Sequence, residues 1–99
     1  MKCQQGDVIL RRISDVPPHA IPRLDNHLAE GEMTGHFHAA VGDGVAVLQH
    51  KGGLVLDAPT GARIVHQEHK EIVVPPGVYE VRRVREYDHF AEEARQVRD

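Results

Sequence analysis

GDGVAVLQHKGGLVLDAPTGARIVH, residues 42–66, decides the fold class. Three short apolar runs begin at Val45, Leu54 and Ala62. They are separated by Gly42-Asp43-Gly44, Lys51-Gly52-Gly53 and Pro59-Thr60-Gly61. Runs this short, bounded by Gly and Pro, read as strands joined by tight turns. Neither glycine turn leads from a strand into a helix N-terminus, so both are hairpin chemistry and not phosphate loops.

The same rhythm continues outward. Ile72, Val73 and Val74 run into Pro75-Pro76-Gly77, and residues 78–87 form the longest strand candidate, with Tyr79, Val81 and Val84 among its hydrophobes. Towards the N-terminus, residues 6–13 read as a first strand. Three prolines between Asp15 and His27 remove donors and fix φ, which predicts an irregular surface crossing. Residues 28–40 read as a strand or bent hairpin, with Gly31 and Gly35 where bulges or turns would sit. Turn signals about every ten residues predict one all-β domain over residues 1–99, a barrel or sandwich of short antiparallel strands. Only the C-terminus has helical spacing, through Phe90, Ala94 and Val97 behind Asp88 as N-cap, so a short C-terminal helix is expected.

Composition narrows the function classes. Hydrophobic residues make up 40% of the 99, but with two Phe, two Tyr and no Trp the core must be packed by Val, Ile, Leu and Ala. A domain this small gains burial by self-association, so a homodimer is expected. A formal charge of −3 argues against a general nucleic-acid binder. The lone cysteine, Cys3, allows no intrachain disulfide and has no nameable activating partner. Polar residues 1–7 and the lack of any span-length apolar run lead to the expectation of a cytoplasmic protein away from membranes. Ser14 is the only serine, and no nucleophile context surrounds it.

Eight histidines are the most distinctive feature. In His36-Phe37-His38, period-2 geometry puts both imidazoles on one strand face with Cα atoms about 6.6 Å apart, close enough to share a metal. His66-Gln67-Glu68-His69 supplies a second pair. A regular strand would point those two rings apart, so joint ligation there needs a bulge or turn. Glu68 and Glu71 stand beside this pair as candidate base or partner to a metal-bound water, or as a solvated turn around Lys70. On the last strand, alternation sets Arg83 and Arg85 on the face of Tyr79 and Val81. Arg83 and Tyr79 are thereby candidates for holding a substrate carboxylate, although such an arginine run is also the usual dress of a solvated edge.

These motifs resemble the cupin superfamily of small β-barrels. That family carries H-x-H followed by Glu, then a second segment with Pro-x-Gly and a further His. His36-x-His38 and Pro75-x-Gly77 match, while Asp43 stands in place of the Glu and Glu80 in place of the last His. The resemblance spans residues 31–84 and implies a cupin-like barrel. Its site would be completed either by Asp43 and Glu80 or by His69, with or without His66, from a neighbouring strand. The imidazole-rich second choice suits Zn, Ni, Cu or Fe, whereas carboxylates would shift preference towards Mn or Mg. The leading expectation is a cupin-like metalloprotein acting on an unnamed small substrate. The other is a non-catalytic β module that binds a small ligand or partner protein, with structural histidines.

Overall fold

Burial, not length, explains why these short segments hold as strands. In residues 77–83 it alternates, with Tyr79 and Val81 buried and Glu80 and Arg82 more exposed, whereas in residues 53–58 the adjacent Val55 and Leu56 are both buried. A computed structural model describes residues 2–30 and 35–84. The expected C-terminal helix and the tail of the last strand candidate, Arg85 and Tyr87 included, lie outside the described residues.

Ten strands are present in that range: β1 (Lys2–Gln5), β2 (Val8–Ile13), β3 (Ile21–Pro22), β4 (His27–Glu30), β5 (Phe37–Val41), β6 (Ala46–His50), β7 (Gly53–Ala58), β8 (Ala62–Val65), β9 (Ile72–Val74) and β10 (Gly77–Arg83). They form two antiparallel sheets, β1-β2-β10-β7-β6-β3 and β4-β5-β8-β9. One core lies between them. The larger sheet contributes Val8, Leu10, Val47, Leu56, Tyr79 and Val81, and the smaller contributes Leu28, Ala40, Ala62, Ile64 and Val74. With the aromatic content so low, aliphatic side chains fill most of this core and Tyr79 is its largest fully buried member.

The all-β expectation holds, and the sandwich form of it is the one realised. The barrel does not form, because the edge strands β1 and β3 of one sheet make no ladder with β4 and β9 of the other. The irregular segment after β2 carries only the two-residue β3, as its prolines require. Residues 28–40 contribute β4 and β5 with a register shift between His27 and Ala29. β1 was not legible beforehand, since Lys-Cys-Gln-Gln has no apolar alternation. It pairs fully with β2 through a turn at Gly6 and Asp7. Among the described residues no helix is long and apolar enough to cross a membrane.

Candidate metal centre

Three loop-to-strand junctions meet at one point. His36 and His38 come from the start of β5, His66 and His69 from the bend between β8 and β9, and Asp7 from the β1–β2 turn. With Glu68 and Arg83 they line a cavity of about 190 Å³.

His38 occupies its centre and is 4% exposed. Its Nδ1 lies 2.8 Å from Gln5 Oε1. The Gln5 amide is itself held, because its Nε2 donates to the carbonyls of Ile64 and Lys70, both at 2.8 Å. Those two bonds leave only the oxygen for His38, so Nδ1 must carry the proton and donate. In the neutral ring the Nε2 lone pair is then free, on the side where Asp7 Oδ1 stands 3.5 Å away. His38 is pushed down to about 4 by burial first, then by repulsion from His66; Asp7 pulls the other way, and His69 adds to the lowering. It is therefore neutral at pH 7.

The other rings crowd this one. His66 lies 4.3 Å and His69 5.7 Å from His38, centroid to centroid, and His66 and His69 are 4.5 Å apart. The bend at 66–69 supplies the departure from strand geometry that joint approach needs. It is fastened by the amides of Glu68 and His69, which donate to His66 Nδ1 at 3.0 and 3.3 Å. The Phe37 amide, donating to Gln67 Oε1 at 2.8 Å, ties the bend to β5. Partial burial and the neighbouring imidazoles of His69 and His36 hold His66 below its ordinary pKa. His69 leans on the β1–β2 turn: a Cβ at Gly6, whose φ is +56°, would meet His69 Nε2 at 2.6 Å.

Ligand-capable nitrogens of His38, His66 and His69 lie within 4.8 Å of one another. Around zinc-length bonds such nitrogens sit about 3.3 Å apart, so closing the set takes side-chain rotation and release of His66 Nδ1 from the Glu68 and His69 amides. His36 shares the cavity but stands outside this triad. Its ring packs edge-on to His66 at 5.6 Å, and its Nδ1 is 3.7 Å from Glu68 Oε1.

Of the sequence-derived candidates, His38, His66 and His69 converge, His36 is adjacent, and Arg83 reaches the rim with its Nε 3.8 Å from Asp7 Oδ2. Tyr79 does not belong here. It is fully buried in the core and donates to the Pro75 carbonyl at 2.6 Å. Asp43 and Glu80 do not complete the set either. Asp43 sits in the turn beyond the far end of β5, where its carbonyl accepts from Thr60. Glu80 alternates to the face opposite Tyr79 and pairs with Arg11 at 4.0 Å. Glu71 likewise pairs with Arg63. Gln5 and Asp7 were missed by sequence reading, because β1 itself was, and neither residue type is distinctive in a polar N-terminus.

Residues 4–84 match the family described as a domain of unknown function, DUF8820. The chain belongs to that family. No curated protein and no solved structure matches this DUF8820 domain. The matched stretch takes in Gln5, Asp7 and all four clustered histidines of the domain.

Proposed function

We propose that the chain binds a divalent transition metal through His38, His66 and His69, at the cavity between β5 and the β8–β9 bend and not inside a closed barrel such as the cupin resemblance implies. The observation that carries this reading is the fixed state of His38. A buried imidazole is kept neutral, its Nδ1 proton is committed to a locked glutamine, and its ring centroid stands 4.3 and 5.7 Å from those of two more imidazoles. An orienting partner behind a histidine is what a metal ligand ordinarily requires. Three imidazoles favour Zn, Ni, Cu or Fe. Asp7 and Glu68 lie at the cavity wall, beside space for a metal-bound water or small ligand.

The test is metal content of the untagged protein, followed by thermal unfolding with each metal added to the chelated protein. At a free metal concentration one hundredfold above Kd, stabilisation is about 2.7 kcal/mol, or roughly 10–20 °C for a domain of this size. His38→Ala should abolish the shift while remaining folded. A native protein that neither retains nor responds to Zn, Ni, Cu or Fe rules the proposal out.

A further inference from the structure

A second groove lies where the β6–β7 hairpin meets β3. It encloses about 500 Å³ and is lined by His19, Arg23, Gln49, His50 and Lys51 with the glycines that follow. Through Arg23, Gly52, Gly53 and Leu54 it continues into a cleft of about 280 Å³ that also takes in Arg82 and Arg83. The Arg82 guanidinium lies over Gly53, where a Cβ would come within 3.1 Å of its Nη1. The chain carries fifteen Asp and Glu against twelve Lys and Arg, yet among the described residues no acidic one lines either cavity. Arg23 donates to Asp25 at 3.0 Å, and Arg83 Nε stands 3.8 Å from Asp7 Oδ2. His19, His50 and Lys51 make no side-chain hydrogen bond or ion pair among the described residues.

Backbone strain points to the same place. Among the described residues only two that are not glycine have positive φ, His19 at +68° and Lys51 at +49°, and both line this groove. His19 sits third in the turn from Pro17 to Ala20, closed by the Ala20 amide on the Pro17 carbonyl at 3.3 Å. Proline second and positive φ third is the type II pattern, where glycine or asparagine is the low-strain choice. Lys51 and Gly52, at +49° and +76°, are the two central residues of a type I′ hairpin turn, whose first position also favours Asn, Asp or Gly. Two turns thus hold cationic or protonatable side chains where a small residue would cost less. Strain of this sort gathers where a ligand is held.

We propose that this groove binds a small phosphate-bearing anion, with Lys51 and Arg23 supplying charge and His19, His50 and Gln49 supplying hydrogen bonds. A phosphoryl group takes several donors at once, and Lys51, His19, His50 and Gln49 set donors around one groove. The volume falls within the usual range for a small-molecule site. The charge comes from Lys51 on the hairpin turn and Arg23 just after β3, not from a helix N-terminus, so this is no phosphate loop. The inference is independent of the metal site.

The probe is inorganic pyrophosphate, titrated at constant ionic strength into chelator-treated protein and followed by calorimetry and amide NMR. Saturable binding is expected, with the largest shifts at Lys51, Gly52 and Gly53. Lys51→Gly and Lys51→Asn should fold with unchanged or higher Tm, since both residues accept left-handed backbone, while affinity falls about tenfold or more. Lys51→Arg should largely retain binding. The proposal is overturned by absence of saturable binding at millimolar pyrophosphate, by equal affinity in Lys51→Gly and Lys51→Asn, by sulfate acting at the same concentrations, or by shifts that map to His66 and His69 instead.

Discussion

Acid should destabilise this protein mainly through His38, with His66, also held below its ordinary pKa, adding to the loss. In the folded state the His38 pKa is about 4, against 6.5 for an ordinary histidine, because the ring is buried and faces His66. A depressed histidine pKa means that the unfolded chain binds more protons than the folded one between those two values. Stability is therefore fully present above about pH 6.5 and is lost as the pH falls towards 4. With those endpoints the loss at pH 5 is about 2 kcal/mol, and nearer half of that once the open cavity beside Nε2 is allowed to screen the charge. Such a loss lowers the urea midpoint by about 0.5–1 M, given the unfolding slope of a domain this size.

The assay is urea unfolding of chelated protein at pH 7.5, 6 and 5, run beside His38→Gln. The variant should be less stable at neutral pH but lose less on acidification, with the difference between the two curves confined to the window between pH 6.5 and 4. The His38 ring resonances in NMR should stay in the neutral form down to pH 5. A His38→Gln curve parallel to the native one, or a ring that titrates near 6.5, would refute the reasoning, because the buried, glutamine-anchored imidazole is its only premise.

Gly6→Ala should fold with a loss of about 1 kcal/mol from left-handed strain, yet weaken metal binding markedly, since its methyl group displaces His69; thermal unfolding with and without zinc separates the two effects. Metal loading should accelerate hydrogen exchange at the amides of Glu68 and His69, because a ligating His66 can no longer accept both at Nδ1; unchanged exchange would exclude His66 as a ligand. Tyr79→Phe should cost about 1 kcal/mol for the lost bond to Pro75, measured by urea unfolding, with metal affinity untouched. Leu56→Ala, at a fully buried position, should cost about 2–5 kcal/mol in the same assay.

The sequence disclosed the strands whose residues alternate or are bracketed by Gly and Pro, such as β7 and β9, because burial on one face leaves a written pattern. It concealed β1, whose Lys-Cys-Gln-Gln is held by pairing to β2 and not by a buried apolar face of its own. The histidine pairs were visible from spacing, but their roles were not. His36 and His38 share a face, as period-2 geometry requires, yet the ring that joins His66 and His69 is His38 alone. That outcome depends on a bend at residues 66–69 whose lock, two amides on His66 Nδ1, has no signature in the sequence. Tyr79 stands apart from the cluster for a related reason: alternation assigned its face correctly, but not that this end of the face lies in the core while Arg83 lies at the rim.

The dependence of the site on β1 has a further consequence. Gln5 is buried between β5 and the loop that follows β8, bonding His38 on one side and the carbonyls of Ile64 and Lys70 on the other. Its amide therefore sets the His38 tautomer and also fastens the β8–β9 bend that carries His66 and His69. Gln5→Glu would remove a donor and add a charge; its carboxylate, facing two carbonyls, would be stable only as the protonated acid or by drawing a proton onto His38. Either way the imidazole is perturbed without any change to the three histidines themselves. A first-strand substitution should thus weaken metal binding as much as the loss of a ligand does, and titration of Gln5→Glu beside His38→Ala would read the two against each other. Equal affinity in Gln5→Glu and the native protein would mean that the tautomer lock has no part in holding the metal.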